Sequence, residues 1–157
     1  MSEPGSIAAI HIASTAGGGM VSALTATAVA GVGLEGDRYA RGVGHWSSIR
    51  RAGDQLTLIE DEEVERVAAQ HGLDLPRGAT RRNLTTRGVR LDELIGQRFR
   101  IGAVTCIGVR RCEPCTYLDG LLGQEALEAL VHRAGIRAEI ITGGSISIGD
   151  VVERLDG

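Results

Sequence analysis

The chain has 157 residues, 17 basic against 20 acidic side chains, a formal net charge of -3 and 43% apolar residues. That balance excludes a disordered polymer and a nucleic-acid-coating protein, and the length suits one domain spanning residues 1–157 with a core of its own. Every basic side chain is arginine; without lysine the chain can neither hold pyridoxal phosphate covalently nor build a Walker A phosphate loop.

In chain order, Ser6–Ala13 has the length and isoleucine content of a strand, and the glycines at 17–19 end it. Ala23–Ala30 is a second strand, rich in Thr and Val. Residues 31–53 are glycine-spaced and charged, longer than a compact domain carries without functional reason. Gln55–Ile59 alternates like a strand. Glu60–His71 then places Val64, Val67 and Ala68 on one helical face, with acids at its start and a histidine at its end. Leu91–Gly96 reads as a single helical turn, followed by strands at Arg98–Ile101 and Val104–Val109. A second helix is expected over Gln124–Ala134, with Leu127, Leu130, Val131 and Ala134 at helical spacing and Gly135 as its cap. Arg137–Thr142 and Ser145–Ile148 are strands joined through Gly143 and Gly144, the signature of a hairpin turn, and Val151–Leu155 closes the chain. The expected fold is α+β and mainly β: a mixed or antiparallel strand-rich barrel with two or three peripheral helices.

Met1–Ser6 lacks the basic start and apolar core of a secretion signal, and no apolar run approaches the roughly 20 residues that span a bilayer. The expected location is the cytoplasm, without membrane or nucleic-acid partners. Cys106, Cys112 and Cys115 form an odd, clustered set that suits thiols or metal ligands in a reducing compartment.

Three clusters carry chemistry. Cys112-Glu113-Pro114-Cys115 follows Arg110 and Arg111, and guanidinium groups near a thiol favour its thiolate, the nucleophilic and metal-binding form. Its spacing fits a redox dithiol or a metal site. A closed zinc site from Cys106, Cys112, Cys115 and His132 is disfavoured, because Cys106 lies inside a strand and His132 has no paired ligand. Gly33-Leu34-Glu35-Gly36-Asp37-Arg38 either lets the backbone approach a ligand or forms a solvated turn in which Asp37 caps amides. Arg81-Arg82-Asn83-Leu84-Thr85-Thr86 packs two guanidinium groups, an amide and two hydroxyls together; this suits a phosphate and a polar heterocycle, or else an exposed polar turn.

Taken in order, GLEGDR at 33–38, QLTLIEDEEVE at 55–65, RRNLTTRGVRLDELIGQRFRIG at 81–102, CEPC at 112–115 and GGSISIGD at 143–150 resemble a small stand-alone MOSC domain. That family is named for the C-terminal domain of molybdenum cofactor sulfurase, and the motif-bearing core covers about residues 31–152. The resemblance implies a strand-rich barrel associated with the molybdenum-pterin cofactor, acting as a carrier that handles sulfur or as a reductase of N-hydroxylated compounds. It implies Cys115 as metal ligand or sulfur carrier, with Cys112 as a second catalytic thiol. Arg81, Arg82, Asn83, Thr85 and Arg111 would contact the cofactor, with Asp37 and Arg38 lining the same cleft. The implied partners are a molybdoenzyme or redox protein and a second copy of the chain. Where many members carry a histidine after the GDR triplet, this chain has Tyr39. Two alternatives from other classes stay open: a non-catalytic module that delivers cofactor or sulfur, and a CxxC thiol-disulfide protein.

Overall fold

The protein is described here from a computed structural model, covering residues 4–13, 19–37, 55–112, 130 and 133–155. Eleven strands form: β1 Gly5–Ile12, β2 Val21–Ala23, β3 Thr25–Val29, β4 Gly33–Leu34, β5 Leu56–Glu60, β6 Leu84–Arg87, β7 Arg98–Ile101, β8 Val104–Arg111, β9 Ile136–Thr142, β10 Gly144–Ser147 and β11 Val151–Arg154. Helix α1 spans Asp61–His71, and Leu91–Leu94 is a single 3-10 turn. This is the mainly β architecture the sequence predicts.

Seven of the strands close into a barrel in the order β1, β6, β5, β9, β8, β7, β11 and back to β1. Closure is made where Gly5 and Ser6 pair with Val152 and Val151. Further along the same edge of β1, the register Ile10↔Ala23, His11↔Ser22 and Ile12↔Val21 adds β2. A second, three-stranded sheet of β10, β3 and β4 lies alongside. Burial alternates along β7, β8 and β9, the period expected of strands with one face inward and the other outward. Phe99, Ile7, Ile10, Leu58, Leu84, Ile101 and Ile136 fill the interior.

Four consecutive residues of β5, Leu56–Ile59, are buried. The reason is the connection that follows. Among the described strand pairs, β5–β6 is the parallel one, and a parallel neighbour demands a crossover, which α1 supplies. Asp61, Glu62 and Glu63 sit in the first turn of α1 and His71 in the last, matching charge to the helix dipole, and Gly72 ends the helix in the left-handed conformation. Val67 packs with Leu130 and Ala134. Those two are the described apolar positions of the second expected helix, 124–134, whose other residues lie outside the described set, apart from Arg133.

One expectation is corrected. Gly143 and Gly144 do not turn a hairpin between neighbours: β9 pairs with β8 and β5, whereas β10 pairs with β3 in the other sheet. The chain changes sheets here, and it passes so close to β3 that a Cβ on Gly143 would lie 2.5 Å from the Ala28 carbonyl oxygen. The glycine pair therefore reports a close approach of two backbones. The expected strand Ala23–Ala30 is likewise divided between the two sheets, as β2 and β3.

Phe99 is fully buried in the barrel. Replacing it by alanine is expected to destabilise the fold by about 3–5 kcal/mol, read as a lower urea midpoint with an unchanged slope.

Candidate functional site

The polar residues at 81–86 lie inside the protein, and the expectation of an exposed polar turn is set aside. Leu84–Arg87 is β6, and Arg81, Arg82, Asn83, Thr85 and Thr86 are all buried. A polar group so placed must find partners within the protein. Asn83 finds them on two other strands: its Oδ1 accepts from the Thr57 N–H at 3.1 Å and the Thr57 hydroxyl at 3.2 Å, and its Nδ2 donates to the His11 carbonyl at 3.3 Å. Its backbone joins in, since Asn83 N–H donates to Thr57 Oγ1 at 2.9 Å and its carbonyl accepts from His11 N–H at 2.7 Å.

Arg82 spends its guanidinium on three carbonyls: Nε on Ala134 at 2.9 Å, Nη1 on Thr80 at 3.2 Å and Nη2 on Cys112 at 3.0 Å. The Cys112 N–H in turn donates to the Gly135 carbonyl at 2.8 Å. Residue 112 is thus gripped on both sides, where the CEPC segment leaves β8. Cys112 itself is a buried free thiol. Glu113, Pro114 and Cys115 lie outside the described residues, as does Arg38.

Asp37 is buried and accepts the Ala13 N–H at 3.0 Å, so its carboxylate caps an amide 24 positions earlier, beyond its own turn. Arg111 pairs with Asp92 at 3.1 Å on the exposed side of β8. Thr85 is buried in β6, where its backbone register pairs it with Ala9 and Ile59.

Arg81 is different. It is the one non-glycine residue with positive φ (+60°) among those described, a conformation that costs energy and marks a constrained position. It ends two consecutive turns, Ala79 N–H to Pro76 O and Arg81 N–H to Gly78 O, each 3.0 Å. These turns line a cavity of about 290 Å3 with His11, Met20, Ser22, Arg77 and Arg81 around it. Gly78 is required here: at φ +90° a Cβ would stand 2.7 Å from Cδ2 and 2.8 Å from Nε2 of His11.

His11 is 7% exposed, and its Nδ1 has no hydrogen-bond partner. Burial, reinforced by the positive charge of Arg77, lowers its pKa below 6.5, so the ring is neutral at pH 7. Arg77 is held side-on by Asp61, with Nε to Oδ1 at 3.3 Å and Nη2 to Oδ2 at 2.8 Å; Arg87 Nη1 reaches the same Oδ2 at 2.5 Å. Hydrogen bonding from Arg77 comes first among the causes that hold the Asp61 carboxyl below its usual range. Neither His11 nor Arg77 is conspicuous in the sequence; the readable signals are an imidazole inside an apolar strand and a Pro-Arg-Gly turn at 76–78.

A wider groove of about 800 Å3 runs past Glu60, Glu62, Glu63, Arg66, Arg90 and Glu153. None of the sequence-predicted site residues lines it. Its acids serve the fold: Glu60 Oε2 accepts from Leu91 N–H, Glu62 Oε2 from Gly88 N–H, and Glu63 pairs with Arg66. Among the described residues no group of three or more His, Cys, Asp or Glu side chains is placed to hold a metal ion. Nor does any helix among them have the length and apolarity to cross a membrane.

A family model described as "MOSC domain" matches residues 43–153. Among solved structures, the chain is similar to the YuaD protein of Bacillus subtilis, with a TM-score of 0.80 and 17% identity over 98% of each chain. It is also similar to YiiM of Geobacillus stearothermophilus, with a TM-score of 0.74 and 14% identity over 98% of this chain and 76% of that one. YiiM of Escherichia coli aligns over 100% and 71% with a TM-score of 0.68 and 18% identity. No curated protein sequence matches the chain significantly.

Three measurements check these assignments. Asn83→Ala leaves buried donors and acceptors unmade and is expected to cost about 1–3 kcal/mol for each, visible as a lower melting temperature. Burial alone raises the Cys106 pKa to about 12, so native protein at pH 8 should react with a thiol reagent at this position only after unfolding, as mapped by mass spectrometry. Asp61 contributes stability that is present above its ordinary value of 3.8 and is lost as pH falls through its lower folded value. Asp61→Asn should therefore flatten the acid limb of the stability profile.

Proposed function

The chain belongs to the MOSC domain family, and from that premise we propose that it binds the molybdenum-pterin cofactor, with the Cys115 thiolate as the sulfur-carrying or metal-binding atom. The observation that carries this reading is the cavity at the entry to β6, where Arg77 and Arg81 stand beside a buried imidazole. Guanidinium groups bind phosphate oxygens in pairs of hydrogen bonds, so this corner fits the anionic end of such a cofactor without any lysine. A soft thiolate fits a sulfur-coordinated metal, and the family resemblance gives that contact to Cys115. When bound, the cofactor supplies a metal able to cycle through a two-electron change.

The chain's own residues divide the remaining work. Arg81 and Arg77 bind and orient the anionic end. Asn83 and Arg82, whose side chains are engaged on the backbone, hold the strand ends and the exit of the CEPC segment in register. Asp37 fixes the end of β1 through Ala13. Thr85, Arg38 and Arg111 are proposed as further cofactor contacts, and a molybdoenzyme or redox partner and a second copy of the chain as partners. Reduction of an N-hydroxylated compound is the proposed activity, and cofactor or sulfur delivery is the second reading. Of the two thiols of the CxxC pair, Cys112 is sealed in packing, which favours cofactor handling over open dithiol exchange.

Protein expressed with molybdate should carry molybdenum and pterin, measured by elemental analysis and by pterin fluorescence after oxidation. Cys115→Ser is expected to cut metal retention at least tenfold. Unchanged retention would remove Cys115 from the ligand role. Turnover of a hydroxylamine or amidoxime by the loaded protein separates an enzyme from a carrier.

A further inference from the structure

The cavity beside β1 holds a group that the cofactor reading leaves unused. His11 lies in the middle of the β1–β2 pairing, opposite Ser22, and its ring lines the cavity with Arg77 and Arg81. A buried polar atom without a partner costs free energy, and each one in a native protein calls for an explanation. His11 Nδ1 is such an atom. The Cδ2–Nε2 edge of the ring occupies the space that a Cβ at Gly78 would need.

The charges around this imidazole come from each element packed on it. The 76–81 turns supply Arg77 and Arg81; α1 supplies Asp61, behind Arg77 and already paired with it; β2 supplies the neutral Ser22. Asp37 sits beyond the end of β1, on Ala13. In the side-on pair with Asp61, Arg77 uses Nε and Nη2, which leaves Nη1 outside that pair. Burial and the charge of Arg77 make protonating the ring unfavourable there. A dianion in the cavity reverses the sign of the local field.

We propose that this cavity is a receptor for a tetrahedral oxyanion, and that His11 takes up one proton as the anion binds. The proton comes from a solvent or buffer acid, whose bond to hydrogen breaks as the imidazolium N–H bond forms; no other covalent bond changes. The inference rests on the anion-binding half of the reading above and does not involve Cys115. The lowered pKa of the ring agrees with it, because the ring is neutral near pH 7 and has a proton to gain.

Sulfate is the test probe, since it remains a dianion across the range examined. Calorimetric titration of the full chain with sulfate at constant ionic strength, between pH 5.5 and 8, should show affinity rising as pH falls, by up to about tenfold per unit. Repeating the titration in buffers of different ionisation enthalpy should give an uptake approaching one proton. His11→Asn should retain weaker sulfate binding without the pH dependence. Arg77→Gln, at a half-exposed position, should lower affinity about tenfold or more. Inorganic phosphate and glycerol phosphate then distinguish the source of the ligand: tighter binding of the ester identifies a terminal phosphate, tighter binding of the ion a free oxyanion.

No sulfate binding at millimolar concentration overturns the receptor. Binding by the unsubstituted protein that is the same at every pH, or an unaltered pH profile in His11→Asn, overturns the role of His11. These titrations need neither metal nor pterin, so their failure is separate from a failure of the Cys115 assignment.

Discussion

The rest of the site depends on how one carboxamide is satisfied. Asn83 sits at zero exposure where β1, β5 and β6 meet, and its side chain and backbone exchange hydrogen bonds with Thr57 and His11. An unmet amide in that position would cost as much as several good contacts provide, so the three strands can come together in only one register. That register sets the direction in which the chain enters β6. It thereby sets where the preceding turns, and with them Arg77 and Arg81, stand relative to His11.

Arg82 extends the same logic outward. Three carbonyls from residues 80, 112 and 134 converge on one planar cation, which suits a guanidinium and no other side chain. The result is that the turn before β6, the end of β8 and the approach to β9 are tied to one side chain. Of two adjacent arginines, one is committed to the scaffold and its neighbour, held at positive φ, lines the cavity. The backbone cost at Arg81 is borne by a structure that fixes both sides of it.

How much of this the sequence discloses follows from the range of the interactions involved. Period-two alternation in Arg98–Ile101 and Val104–Val109, and the helical spacing in Glu60–His71, are local signals, and the elements form where expected. The Gly143-Gly144 hairpin fails because turn chemistry is local while the choice of neighbour is global: β10 leaves for a sheet that begins more than a hundred residues earlier. The polar run at 81–86 looks like a surface cluster because its partners, Thr57 and His11, are 26 and 72 positions away. His11 carries no motif at all. The family resemblance, by contrast, lies in the order of several motifs and is confirmed by the match across 43–153.

The barrel is sealed by the pairing of Gly5 and Ser6 with Val152 and Val151. Although β2 covers the Ile10–Ile12 end of that edge early, everything between β1 and β11 must leave the ribosome before the Gly5–Ser6 end acquires its neighbour. Until then, that end of the β1 edge stays an open template for other strands, and nascent copies are vulnerable to sticking together. Contacts spanning such separations also slow folding, so the expected bottleneck in forming the barrel is the joining of β1 to β11.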